Sequence, residues 1–254
     1  MVSEVEVVLP KSKVKADFLS PRKLIIFSKP KVGKTELVSK LEGALIVDLE
    51  EGSGFLDAVK YDVVKQARKN NRTILQELRA LGNAIKAQNR PYKYIVVDTI
   101  TKLEDIAAPL ALSMYQKTPM GKNFSGDNIL SLPNGGGYGY LREAFFKLLN
   151  EIYSWSDRTI LLAHLKAKYI EKNGKEVIAA ELDMTGKIRS ITSADVDAIG
   201  LLYRESENKN VVSFKTSDDV ICGARPVHLK NQEIVISEST PSGITAHWNK
   251  IYID

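Results

Sequence analysis

The chain has 254 residues, 44% apolar and 26% charged, with a formal net charge of +5, an ordinary globular balance that is long enough for a full core. Its one cysteine, Cys222, excludes an intrachain disulfide and fits a reducing compartment. No apolar run approaches the about 18 residues of a membrane helix, and the opening MVSEVEVVLPKSK lacks a signal-peptide core, so a cytoplasmic protein with a weak preference for anionic partners is expected.

Residues 23–28, KLIIFS, form a short apolar run ahead of a glycine-containing loop, the pattern of a buried strand. TELVSKL then spaces Leu37 and Leu41 on one helical side, with Gly43 as the stop. ALIVDL, 44–49, is a second apolar strand. Around AVKYDVV, within 55–71, strand and helix both remain open. RTILQELRALGNAIKAQ, 72–88, places Ile74, Leu78, Leu81 and Ile85 on one helical face. YKYIVVDTI, 92–100, is a strand ending in an acid. YLREAFFKLLNEIYS carries Leu141, Phe145, Leu148 and Ile152 along another helical stripe. RTILLAH, 158–164, is a strand closing on a polar residue. After Asp195, the runs AIGLLYR, NVVSFKTS and RPVHLKNQEIVIS read as consecutive antiparallel strands.

Strands alternating with helices predict an α/β fold with a mainly parallel central sheet, flanked by helices and continued by a C-terminal antiparallel β extension. With no repeat and no linker, one domain is expected: a segment over 1–20, an α/β core over 21–200 and the β-rich extension over 201–254.

The loop after the first strand carries the chemistry. In G-x-x-x-x-G-K-[ST], backbone N–H groups wrap phosphates, a lysine reaches the outer ones, and a hydroxyl holds Mg²⁺. Here Ser28, Lys29, Pro30, Lys31, Val32, Gly33, Lys34 and Thr35 fill that pattern between a strand and a helix, with serine in the place of the first glycine. A serine opens such a loop if its φ stays negative, and the helix N-terminus adds a dipole favourable to phosphate. A second part is required: an acid at the end of a neighbouring apolar strand, to hold Mg²⁺ with Thr35. YIVVD supplies Asp98. The strand ending VDLEEG then offers Glu50 or Glu51 as the carboxylate that polarises the attacking water. Alternation from Val47 and Leu49 favours Glu50. ATP with Mg²⁺ is the expected ligand.

The order GKT, VDLEE, IVVDTI, YLREAFFKLL, TILLAHLKAKY resembles the RecA-type recombinase ATPase core over roughly residues 20–230. The lack of large accessory domains resembles the small phage RecA-like ATPases of single-strand annealing and recombination. The resemblance implies that Glu50 is the catalytic glutamate. It also implies that His164 stands where a polar residue, usually glutamine, senses the γ-phosphate ahead of a DNA loop. A hydrogen-bonded strand-end histidine is the alternative reading of His164. Residues 115–140 are long, glycine-rich and aperiodic, and hold Lys117, Lys122, Phe124, Tyr138 and Tyr140, which suits phosphate contact with base stacking. Their position matches the family's first DNA loop. Residues 165–190 match the second, with Lys166, Lys168, Lys187 and Arg189 as its cations, although EKNGKE also reads as a plain hairpin turn. Family members place ATP between subunits, so a neighbour's cation, Lys215 or Arg225, is implied to complete the site.

The expected protein is a Mg²⁺-dependent, DNA-stimulated ATPase that binds single-stranded DNA, assembles head to tail and works in recombination or annealing, beside a single-strand-binding protein. A nucleotide-switched scaffold or loader without DNA contact is the rival. A small-molecule kinase fits less well, because no arginine-rich lid follows the second half of the sheet.

Overall fold

The structure is a computed structural model and describes residues 9–172, 175–217, 219–241 and 243–254. Its strands are β1 (Lys23–Ser28), β2 (Ala44–Asp48), β3 (Lys60–Asp62), β4 (Tyr94–Asp98), β5 (Arg158–Lys172), β6 (Lys175–Leu182), β7 (Ala198–Ser206), β8 (Lys209–Ser213), β9 (Gly223–Ala224), β10 (Glu233–Thr240) and β11 (Gly243–Ala246). Its α-helices are α1 (Lys34–Ser39), α2 (Val63–Lys69), α3 (Ile74–Ala87), α4 (Ile100–Gln116), α5 (Gly137–Tyr153) and α6 (Gly186–Asp195).

The strands lie in the order β11-β10-β8-β7-β1-β5-β4-β2-β3, with β6 beside β5 and β9 beside β7. From β3 to β7 every pairing is parallel, and from β7 to β11 the sheet continues antiparallel. The expected α/β fold class holds. AIGLLYR is β7, antiparallel to β8 as expected and also parallel to β1, so it joins the extension to the central sheet.

Alternation along β1 explains why its whole run is apolar. Ile25 and Phe27 join Val47, Val97 and Leu161 on one face, under α3, α4 and α5. Leu24 and Ile26 join Ile46, Val96 and Leu162 on the other, under α1 and the C-terminal residues Phe214, Ile236 and Trp248. A parallel sheet covered on both faces needs such runs. Among the described residues no helix is long and apolar enough to cross a membrane.

The open reading around AVKYDVV resolves into both alternatives. Strand β3 ends at Asp62, whose carboxylate accepts from Lys65 N at 2.8 Å and caps α2. Helix α3 starts on a capping box between Thr73 and Gln76. Helix α4 has no counterpart among the expected elements. It starts on the Thr99 side chain and buries Leu103, Ile106, Ala107, Leu110 and Ala111, with Pro109 on its exposed side. The stretch 165–190 is corrected from a loop to ordered structure. β5 runs on past His164 and pairs antiparallel with β6, from Leu165↔Leu182 to Lys172↔Lys175, and α6 follows. The centre of EKNGKE, residues 173–174, lies outside the described residues, as do residues 1–8 of the N-terminal segment. RPVHL is not strand: Pro226 precedes a single helical turn over Val227–Leu229, and β10 begins only at Glu233.

Packing leaves little slack beneath α3. A Cβ on the buried Gly82 would sit 2.7 Å from the Trp155 ring, which is fully buried. Gly82→Ala is therefore expected to destabilise the fold by about 1–3 kcal/mol through overpacking, although alanine is the better helix former. A urea melt of the variant against the parent measures this.

Candidate functional site

The loop between β1 and α1 closes around its own lysine. Lys34 is 7% exposed, and its ammonium lies 3.0 Å from Ser28 Oγ and 3.4 Å from the carbonyl oxygens of Ser28 and Lys29. The left-handed residues of the loop are Lys31 (φ 64°) and Gly33 (φ 103°). Ser28 is not among them, so its backbone does not call for glycine. Gly33 N-caps α1 and its carbonyl accepts from Leu37 N at 2.9 Å.

Two neighbouring strands bring acids to the same edge. The register Asp48↔Asp98 aligns the ends of β2 and β4. Asp98 Oδ2 accepts from Thr35 Oγ1 at 2.6 Å, which joins the metal-binding pair expected from the sequence. Asp48, fully buried, accepts from the backbone N–H of Glu50 (2.9 Å), Gly52 (3.3 Å) and Ser53 (2.8 Å) and from Ser53 Oγ at 2.5 Å. These bonds turn the chain sharply and separate the two glutamates. Glu51, at φ 59°, points away and takes a bidentate bond from Arg68 at 2.8 and 3.1 Å. Glu50 stays in the site: Thr99 Oγ1 donates to its Oε1 at 2.7 Å, and His164 Nε2 lies 3.2 and 3.3 Å from its two oxygens. Of the two glutamates, Glu50 is the one whose charge acts on both Asp98 and Lys34. His164 faces Ser28 across the β1–β5 pairing, and its carbonyl accepts from Asp183 N at 2.9 Å.

Sequence reasoning passed over Asp48, Thr99 and Arg68. Thr99 carried a signal, being a hydroxyl residue directly ahead of a periodic apolar run. Asp48 looks like any acid inside an apolar strand, and Arg68 matters only through the fold.

The remaining expected residues are dispersed. Lys215 pairs with Glu233. Arg225 bonds Asp197 at 3.2 Å and the Ala194 carbonyl at 2.6 Å. Because Asp197 is tied to Lys23 at the start of β1, Arg225 sits at the sheet edge opposite the loop. Lys117, Lys122, Tyr138, Lys166, Lys168 and Lys187 are exposed. Lys166 lies 3.6 Å from Asp183. Arg189 forms a 2.5 Å ion pair with Glu181. Phe124 and Tyr140 are half-buried, and both pack edge-on against Tyr115, at 5.5 and 5.2 Å between ring centres.

Electrostatics in the site follow from burial. Burial is the main cause raising the Asp98 carboxyl above its ordinary value. Asp48 and Glu50 add to that, while the Thr35 hydrogen bond and Lys34 oppose it. Burial pulls the Lys34 ammonium down, against the pull of Asp98 and Glu50. A hydroxyl and a carboxylate side by side, in negative surroundings, fit Mg²⁺, which takes one or two protein oxygens and leaves the rest to phosphate and water. The same burial has a stability consequence. A carboxyl whose folded pKa is raised costs stability when ionised, and the cost fades as pH falls through the raised value toward the ordinary one. Asp98→Asn keeps an acceptor for Thr35, so it is expected to raise the melting temperature of the nucleotide-free protein at pH 7, with a smaller gain at pH 4. Thermal melts at both pH values test the sign.

A search of curated proteins returns no match. Among solved structures, a KaiC-like protein from the hyperthermophilic archaeon Pyrococcus horikoshii is similar at 16% identity, with 89% of each chain covered and a TM-score of 0.44. The RadB recombinase is similar at 14% identity, with 90% of this chain and 92% of the other covered and a TM-score of 0.43. A family model described as AAA domain matches residues 20–241. That span includes the loop, Glu50, Asp98 and His164, and on it the chain belongs to the AAA domain family, with a P-loop domain of the ATPase type.

Proposed function

We propose that the chain is a Mg²⁺-dependent, RecA-like ATPase that binds single-stranded DNA and assembles head to tail, in recombination or strand annealing. The observation that carries the ATPase reading is the convergence of Lys34, Thr35, Asp98 and Glu50 at the carboxyl ends of β1, β2 and β4, the edge where open parallel sheets take ligands. In this reading Lys34 and the loop N–H groups hold the phosphates. Mg²⁺, held by Thr35 and Asp98, would neutralise charge on the outer phosphate oxygens. Glu50 accepts a proton from water as the water oxygen bonds to the γ-phosphorus, and the bond from that phosphorus to the bridging oxygen breaks, leaving ADP and phosphate. Thr99 and His164 orient the Glu50 carboxylate for that transfer.

The DNA part of the reading is supported by the exposed cations Lys117, Lys122, Lys168 and Lys187 and by the net charge of +5. Head-to-tail assembly is supported by Arg225, which sits too far from its own loop to serve it. The finer resemblance, to small phage ATPases working beside a single-strand-binding protein, belongs to the same proposal. The scaffold or loader reading has its own support: Arg189 is engaged by Glu181, and Phe124 and Tyr140 by Tyr115.

Two measurements follow. In phosphate-release assays, Lys34→Ala is expected to abolish turnover. Glu50→Gln is expected to bind ATP but hydrolyse it about 10²–10⁴-fold more slowly, and Glu51→Gln to stay near the parent rate. Full turnover in Lys34→Ala would end the ATPase reading. In anisotropy titrations of a labelled oligonucleotide with a non-hydrolysable ATP analogue, the Lys168→Ala, Lys187→Ala double variant is expected to flatten the salt slope by about 0.7 per lost phosphate contact. Salt-insensitive binding, or none at low salt, selects the scaffold reading.

A further inference from the structure

Ser28 stands where the common loop has glycine, yet nothing in its backbone explains a special residue. It is the last residue of β1 and is fully buried. Its hydroxyl donates to the Lys29 carbonyl at 2.7 Å. That bond uses the only proton of the hydroxyl, so the lone pairs of Ser28 Oγ are left to accept. One of them receives Lys34 Nζ at 3.0 Å. The other two contacts of the ammonium, to the carbonyl oxygens of Ser28 and Lys29, are at 3.4 Å, close to the limit of a hydrogen bond.

An ammonium has three donors. To reach a phosphate oxygen, Lys34 must redirect at least one, and the two long carbonyl contacts are the cheapest to release. The short bond to Ser28 Oγ is the one it would keep. A glycine at this position leaves the ammonium with backbone acceptors alone, at the end of a flexible four-carbon stem.

We propose that Ser28 is a positioning residue: its hydroxyl, fixed by the Lys29 carbonyl, anchors the Lys34 ammonium so that its remaining donors are aimed at the outermost phosphate of a nucleoside triphosphate. The proposal rests on the nucleotide reading above and adds a specificity to it. The anchor would favour triphosphate over diphosphate, because a lysine at this place in the loop reaches the β- and γ-phosphates and a diphosphate lacks the second.

The test is calorimetric binding, with Mg²⁺ present, of a non-hydrolysable ATP analogue and of ADP to the parent, Ser28→Ala and Ser28→Thr. The parent is expected to prefer the analogue. Ser28→Ala is expected to lose about tenfold of that preference, the worth of one hydrogen bond to a charged group, with ADP affinity falling by less than that of the analogue. Ser28→Thr, which restores a hydroxyl, is expected to restore the preference. General damage to the loop would instead weaken both nucleotides together and leave the ratio unchanged. If Ser28→Ala does not fold, as judged by thermal melting, Ser28→Gly takes its place. A parent that binds neither nucleotide overturns the nucleotide reading and this one with it. A parent that binds both, with an unchanged ratio in the hydroxyl-free variant, overturns the role of Ser28 alone.

Discussion

Burial of charge is the constraint on which the rest of the site depends. Asp48, Asp98 and Lys34 lie almost out of contact with solvent, and Glu50 stands at the solvent edge beside them. An unpartnered buried charge costs several kcal/mol, so each needs its own answer. Asp48 is answered by four donors from the turn that follows it. Asp98 is answered by Thr35 and, through space, by Lys34. Lys34 is answered by the loop that surrounds it. The architecture serves these answers. Parallel pairing of β2 with β4 sets the acids level, and β5 lies between β4 and β1, which gives the loop lateral room to face them. The turn around Asp48 is a charge solution that doubles as an orienting device, since it sends one glutamate inward and its neighbour to Arg68.

What could be read from the chain alone follows from the range of the interactions. The central strands were legible because two-sided burial makes their runs continuously apolar. The loop, Thr35 and Asp98 were legible because their chemistry is written in contiguous residues. Glu50 was favoured over Glu51 by alternation along β2. The partner that holds Glu51 once the Asp48 turn has parted the two is Arg68, seventeen positions on, and no local pattern contains it. Helix α4 was legible in principle, since Thr99, Leu103, Ile106, Ala107 and Leu110 have helical spacing, but Pro109 interrupts the pattern that usually signals a helix. Pro109 faces solvent, so the helix tolerates it.

The second half of the chain was less legible for a related reason. Cationic residues between His164 and Ser190 look alike in sequence. Arg189 is committed to Glu181 across the space between α6 and β6, while Lys187 stands exposed two residues earlier. Phe124 and Tyr140 likewise appear available until Tyr115 is brought between them by the end of α4. Availability of a side chain is a tertiary property, and composition counts residues without seeing their partners.

Strand β5 is a single element with two mechanical regimes. Over its first half it is clamped between β1 and β4; beyond His164 its one strand partner among the described residues is β6. His164 is the fulcrum, with its carbonyl on Asp183 at the base of the hairpin and its ring on Glu50. A displacement of the outer half would have to be taken up at His164, so the base of the hairpin and the Glu50 carboxylate share one pivot.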